Sequence, residues 1–194
     1  MKTVSNILLE AHLIEICDLV NENVVDVAKY ASQKHKGQTR SDGLPYITHP
    51  MQVANNIIKY KSSHNIDALV KAALLHDTIE DTDTTHKDLE KLFGGLVASL
   101  VKELTSDKDK IKKIGKTEYL TKKMVQMSSY ALVIKLADRL DNVSDIKTAK
   151  TPEWRRKYKL ETETILKRLE SERELSNTHK KIIKAIREKL SEID

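Results

Sequence analysis

The segment LLHDTIEDTD places one histidine and four acids directly after an apolar run. In a continuous helix, positions i, i+1, i+4 and i+5 share one broad face, so four of these side chains would point to a common region. They are His76, Asp77, Glu80 and Asp81. Such charge at the end of a buried helix is costly unless it is compensated, and a divalent cation such as manganese, iron, nickel or zinc would compensate it. A negatively charged, solvated helix end is the alternative, and the segment alone does not decide between the two.

Two distant segments add candidates to this cluster. In PYITHP, His49 precedes a proline that suits a helix start, although a lone histidine there is more often structural. In VIKLADRLDNVSD, Asp138 shares an apolar helix face with Leu136 and Ala137, and an unpaired aspartate there would be costly. A core aspartate that is simply hydrogen-bonded is the alternative. In chain order, these residues form the pattern H…HD…D.

Helices must position these candidates, because helical periodicity recurs and no period-2 strand pattern persists for more than a few residues. A composition with 32% charged residues, 4% aromatics and only five glycines is typical of helical proteins. Helices are predicted over 5–20, 22–35, 50–61, 66–78, 117–128 and 129–146. The segment THKDLEKLFGG predicts a short helix, and another helix follows it to about residue 104. One more helix is predicted to begin at Pro152, and a last one contains Ile182 and Leu190. The stretches HKGQTRSDGLPYITHP and TSDKDKIKKIGK are predicted loops. We expect one all-α domain over residues 1–194.

Charge and composition limit the classes of partner. A net charge of +5 favours an anionic partner, either nucleic acid or a polyphosphate. Basic residues form no block with interleaved aromatics, so a nucleic-acid platform has little support. Acids interrupt the apolar N-terminus, which therefore predicts neither a signal peptide nor a membrane span. Cys17 is the single cysteine and excludes an internal disulfide. We expect a cytoplasmic protein with no membrane partner, and the oligomeric state stays open.

Four separated motifs resemble those of the HD-domain metal-dependent phosphohydrolases. HKGQTRSDGLPYITHP, ALLHDTIEDTD, ELTSDK and VIKLADRLDNV together look like the hydrolase domain of (p)ppGpp synthetase/hydrolase proteins and of the free-standing small alarmone hydrolases. The similarity runs from about residue 24 to about residue 165, and the predicted C-terminal helices span residues 152–193. The resemblance implies an HD-type helical bundle. It also implies hydrolysis of the 3′-pyrophosphate of guanosine alarmones, which converts ppGpp to GDP and pppGpp to GTP with release of pyrophosphate.

The resemblance also implies roles for individual residues. The implied ligands of one manganese ion, Mn²⁺, are His49, His76, Asp77 and Asp138. Glu80 and Asp81 would activate or orient the attacking water, and either acid could be the base.

Substrate contacts are implied in the same way. Arg40 would lie beside the nucleotide base, Asn142 would hold the ribose or nucleotide, and Asp145 matches a position that varies in the family. Ser41 stands where lysine is frequent, so one phosphate or base contact is in doubt. Pyrophosphate contacts are expected among Lys112, Lys113, Lys116, Arg155, Arg156 and Tyr158.

Other interpretations remain open. The substrate could be ppApp, a nucleoside monophosphate or NADPH, since the motifs do not separate guanine from adenine. A non-catalytic regulatory member is a second class, although all six metal and acid positions are intact. A basic nucleic-acid binder would explain the net charge and would leave the acidic cluster unexplained. Because the sequence contains no GxxxxGK loop and no second catalytic set, we expect no synthetase activity.

Overall fold

A computed structural model describes residues 23–61, 65–146 and 151–193. The helix predicted over 5–20 and Cys17 lie outside these residues. Within the described ranges every regular element is a helix, and the one β pairing is an isolated antiparallel bridge between Thr39 and Pro45. The all-α prediction is therefore confirmed. The chain divides into two compact units between Thr105 and Ser106, and the prediction of one domain over 1–194 stays a prediction.

The first unit is built around one apolar helix. Its helices are α1 (Asn23–Lys34), α2 (Thr48–Tyr60), α3 (Ile66–Leu75), α4 (Thr78–Asp81), α5 (His86–Phe93) and α6 (Gly95–Leu104). Helix α3 packs against α1, α2 and α6, and its residues from Leu69 to Leu75 are fully buried except Lys71. A helix that is apolar on nearly all sides is stable only in a core. His76, which directly follows α3, therefore lies in the interior of this unit.

The predicted continuous helix over 66–78 is wrong at its end. Helix α3 stops at Leu75, and α4 begins at Thr78. At the break, backbone carbonyl groups accept hydrogen bonds from side chains. Nδ1 of His76 lies 2.7 Å from Ala73 O, and Thr78 Oγ1 donates to Leu75 O at 2.7 Å. Such local side-chain bonds compete with helical backbone pairing. The backbone therefore turns between His76 and the acids Glu80 and Asp81 of α4.

The second unit contains the remaining helices. They are α7 (Lys108–Ile114), α8 (Lys116–Gln126), α9 (Ser129–Ser144), α10 (Pro152–Glu172) and α11 (Asn177–Ser191). Helix α9 packs on α11, and α10 packs on α8. Ser128 caps α9 by accepting a hydrogen bond from Ala131 N, and Pro152 occupies the first turn of α10. Within the described ranges, no helix combines the length and the apolar character that a membrane span requires.

The lysine-rich segment that was predicted as a loop contains α7. Asp107 caps this helix by accepting hydrogen bonds from Asp109 N and Lys110 N, and these bonds lower the pKa of its carboxyl group. Gly115 ends the helix with a positive φ of 83°, which favours glycine. None of the residues of α7 is buried, so the helix lacks the apolar face on which the prediction of helices relied.

Candidate metal centre

His49 lies in the first turn of α2, where the loop before the helix orients it. Its backbone N–H donates to Tyr46 O at 2.9 Å, and the residue is buried with 5% exposure. The imidazole packs edge-on against the ring of His76, with ring centroids 5.1 Å apart. A buried histidine that faces a second histidine is no longer explained by core packing alone, so this geometry favours the ligand interpretation of His49.

His76 presents one ring nitrogen to the same region. A carbonyl oxygen can only accept, so Nδ1 carries a proton in the contact with Ala73 O, and in the neutral ring Nε2 then has a lone pair. Nε2 is buried and has no hydrogen bond of acceptable geometry among the described residues. A backbone carbonyl behind the second nitrogen is the arrangement that orients metal-binding histidines in general.

Asp77 completes a cluster of three possible ligands. Its Oδ2 lies 3.0 Å from Nε2 of His76 and 3.9 Å from Nε2 of His49. One ligand atom from each residue lies within 4.8 Å of the other two. Two imidazoles and a carboxylate suit first-row divalent ions, and the lone pair of His76 Nε2 fits such an ion. The structure thus brings together three of the four predicted ligands, all in the first unit.

Tyr46 also contacts this cluster, and the sequence analysis missed it. Its hydroxyl donates a short hydrogen bond to Oδ2 of Asp77. The sequence carried one signal, because Tyr46 stands three residues before the candidate ligand His49 and a buried tyrosine hydroxyl usually finds a hydrogen-bond partner.

Glu80 and Asp81 follow the cluster on the short helix α4. Asp77 O accepts from Glu80 N at 3.1 Å and from Asp81 N at 2.9 Å, so both acids begin one turn after the ligand. Glu80 is half-buried and Asp81 is exposed. Gln38 Nε2 donates to Asp81 O at 3.1 Å and fixes the backbone at that point. Both acids therefore follow the cluster on α4, and their predicted roles stay predictions.

Arg40 lies in the loop between α1 and α2. Its N–H donates to Leu44 O at 2.8 Å and its carbonyl accepts from Gly43 N at 3.0 Å, which closes a tight turn. Gly43 has a φ of 85°, a conformation that side chains disfavour. Arg40 is half-buried, and its predicted place beside the nucleotide base stays a prediction.

Asp138 lies on α9 in the second unit and is buried with 7% exposure. Lys135 Nζ lies 2.8 Å from its Oδ2, and Asn142 Nδ2 donates to its Oδ1 at 2.6 Å. The predicted burial is confirmed, and the predicted place of Asp138 among the metal ligands stays a prediction. Asn142, predicted as a nucleotide contact, holds this carboxylate here. Asp145 ends the same helix and is half-buried.

The predicted pyrophosphate contacts fall into two groups in the second unit. Lys112, Lys113 and Lys116 are exposed on α7 and at the start of α8, and Lys112 lies 3.9 Å from Asp109. Arg155 is half-buried and Arg156 is exposed near the start of α10. These lysines and arginines have the exposure that an anion-binding side chain needs, although exposure alone assigns no function.

Tyr158 belongs to an ordered group on α10. Its ring stacks on that of Trp154, with the ring centroids 4.9 Å apart and an angle of 10° between the planes. The guanidinium carbon of Arg139, Cζ, lies 5.1 Å from the centroid of the Tyr158 ring. Burial is the largest cause that raises the pKa of Tyr158 above its ordinary value, so the phenol is protonated at neutral pH. Arg139 in turn donates to Thr162 at 2.8 Å and pairs with Glu161 at 3.2 Å.

The sequence is similar to those of several known proteins. The HD-domain family model matches residues 28–174. Guanosine-3′,5′-bis(diphosphate) 3′-pyrophosphohydrolase MESH1 of Xenopus tropicalis is 38% identical over 133 residues, which are 68% of this chain and 73% of that protein. The bifunctional (p)ppGpp synthase/hydrolase SpoT of Escherichia coli K12 is 42% identical over 138 residues, which are 68% of this chain and 19% of that protein.

A solved structure is similar as well. It belongs to a metazoan ortholog of SpoT that hydrolyses ppGpp, and it superposes with a TM-score of 0.73 at 31% identity. The superposition covers 87% of this chain and 96% of the other. The matched family segment contains every residue of the pattern H…HD…D. The chain belongs to the HD-domain family.

Proposed function

We propose that this protein is a metal-dependent hydrolase that removes the 3′-pyrophosphate of guanosine alarmones, converting ppGpp to GDP and pppGpp to GTP. The observation that carries the proposal is the cluster of His49, His76 and Asp77, in a chain whose curated relatives are named for this reaction. The intact acids Glu80 and Asp81 support turnover over a purely regulatory role.

We propose Mn²⁺ as the ion and Asp138 as its fourth ligand. The place of Asp138 in the order of the HD motif supports this assignment, as do its burial and its charge. When bound, the ion supplies Lewis-acid stabilisation at phosphorus and makes a water easier to deprotonate. His76 contributes Nε2 while its Nδ1–H remains on Ala73 O, so the ring keeps one orientation.

The remaining chemistry belongs to the acids that follow the cluster. A carboxylate of Glu80 or Asp81 accepts a proton from the attacking water, whose oxygen adds to the phosphorus attached to the 3′ oxygen. The bond between that phosphorus and the 3′ oxygen breaks, and the 3′ oxygen takes up a proton. Water is consumed, and the products are a 5′-phosphorylated guanosine and pyrophosphate.

Polar and basic side chains are assigned to substrate binding in this proposal. Arg40 is assigned to the nucleotide base, and Asn142 and Asp145 to the ribose side of the substrate. Lys112, Lys116, Arg155 and Tyr158 are assigned to the phosphates. Guanidinium groups bind phosphate through paired hydrogen bonds, which offset its high charge.

Removal of the metal should abolish the reaction. We expect the purified protein to release pyrophosphate from ppGpp and pppGpp with Mn²⁺ present, to lose this activity after chelation, and to regain it when Mn²⁺ is returned. Separation of the nucleotide products measures GDP and GTP, and ppApp, nucleoside monophosphates and NADPH complete the panel. Phosphate release from a monophosphate with ppGpp left intact would contradict the proposal.

An asparagine at position 138 tests the fourth ligand. We expect Asp138→Asn to bind Mn²⁺ at least about 10-fold more weakly, since loss of even an indirect partner of a metal ligand costs roughly 10–100-fold. Metal titration measures the effect. The matched control in the same unit is Asp109→Asn, whose side chain is 96% exposed. If Asp138→Asn lowers Tm and leaves Mn²⁺ affinity unchanged, Asp138 is a core aspartate that Lys135 neutralises.

These 194 residues are expected to hydrolyse alarmone without synthesising it, and incubation with ATP and GDP tests that expectation. A cytoplasmic location and the absence of a nucleic-acid partner stay predictions.

A further inference from the structure

Tyr46 makes a hydrogen bond that the proposed chemistry has not yet used. Its hydroxyl donates to Oδ2 of Asp77, the same oxygen that lies 3.0 Å from His76 Nε2 and 3.9 Å from His49 Nε2. The phenol therefore contacts the carboxylate at the atom nearest to both imidazoles. A hydrogen-bond donor at this point restricts rotation of the carboxylate about its own bond.

Tyr46 is itself held from several sides. Its backbone N–H donates to Gln38 O at 3.0 Å, next to the bridge between Thr39 and Pro45. Its ring packs against the buried rings of His35 and His49, with centroid distances of 4.8 Å and 5.7 Å. The hydroxyl therefore has a defined position before any ligand binds, which is what an effective support of a metal ligand requires.

The loop that holds Tyr46 also contacts the acids of α4. Gln38 accepts a hydrogen bond from Nδ1 of His35 at 2.8 Å and donates through Nε2 to Asp81 O at 3.1 Å. One short loop thus fixes the carboxylate of Asp77 through Tyr46 and the backbone of Asp81 through Gln38. Arg40 lies in the turn between these two anchor residues.

We infer that Tyr46 is a positioning residue of the metal centre, which sets the orientation of the Asp77 carboxylate and thereby the affinity for the divalent ion. The inference rests on the proposed metal site and goes beyond it by adding a residue that acts on the ion through Asp77. Partners behind a metal ligand orient it, and their loss typically weakens metal binding by roughly 10–100-fold. A phenol that acts only through Asp77 leaves nucleotide binding unchanged.

Tyr46→Phe tests the inference because it keeps the ring contacts and removes only the hydroxyl. We expect the Kd for Mn²⁺, measured without nucleotide from the signal of free Mn²⁺, to rise about 10-fold or more. At saturating Mn²⁺, kcat for ppGpp should return towards the wild-type value with KM unchanged. Tyr30→Phe is the control in the same unit, because it also removes a phenol hydroxyl, one that lies 3.4 Å from Thr84 Oγ1.

Two results would overturn the inference while leaving the proposed function intact. One is a Kd for Mn²⁺ in Tyr46→Phe that stays within about twofold of wild type, well below the loss expected of a ligand's partner. The other is a lower Tm without metal combined with the wild-type increase in Tm on adding Mn²⁺, which would assign Tyr46 to packing alone. A wild-type protein that binds no divalent ion would overturn the inference and the proposed function together.

Discussion

Replacement of Asp77 by asparagine is expected to remove bound Mn²⁺ and to reduce pyrophosphate release from ppGpp to background. Asp77 is the carboxylate that both imidazoles approach, with Oδ2 at 3.0 Å from His76 Nε2 and 3.9 Å from His49 Nε2. An amide keeps the shape of the side chain and removes the negative charge that offsets the divalent ion. The loss of affinity should exceed the roughly 10–100-fold cost of removing an indirect partner.

Metal content and Tm separate this effect from misfolding. Wild-type protein should gain Tm on addition of Mn²⁺, because an ion that binds only the folded state stabilises it. Asp77→Asn should fold and show no such gain. Asp26→Asn is a suitable control, since its side chain is 74% exposed and forms an ion pair with Lys29 at 3.4 Å. An Asp77→Asn protein that still binds Mn²⁺ tightly would mean that the cluster is not the metal site.

The first unit shows why the ligands could be predicted from sequence and their geometry could not. An apolar run that ends in His76 and Asp77 predicts a buried helix and a polar end, and both are present. The break at this end depends on the contacts of His76 with Ala73 O and of Thr78 with Leu75 O. Periodicity describes where a side chain would point in a regular helix, so it cannot anticipate side chains that displace the backbone bonds.

The misses elsewhere have related causes. Helix α7 has no buried residue, so hydrophobic periodicity could not find it, whereas its cap at Asp107 and its end at Gly115 were visible in the sequence. Asp138 was correctly predicted to be buried, and its pairing with Lys135 at i−3 follows from helix geometry. Tyr46 was missed because the sequence does not show which partner its hydroxyl meets, although buried tyrosine hydroxyls usually find one.

Replacement of Glu80 by glutamine is expected to separate metal binding from turnover. The variant should bind Mn²⁺ like wild type, because Glu80 begins one turn after Asp77 and lies outside the cluster of three ligands. Its kcat should fall by about 10²- to 10⁴-fold, the usual contribution of a general base. KM for ppGpp should change little, since glutamine keeps the size of the side chain and one acceptor oxygen.

A comparison of neighbouring variants decides which acid accepts the proton. Glu80 is half-buried and Asp81 is exposed, with its backbone fixed by Gln38 at 3.1 Å, so Asp81→Asn is the natural partner experiment. The acid whose variant loses more of kcat at full metal occupancy is the base, and the other orients the water. Glu90→Gln, an exposed position on α5, is the matched control and should keep full activity. Loss of Mn²⁺ from Glu80→Gln would instead make Glu80 a ligand, and the division of roles between the cluster and the acids of α4 would be wrong.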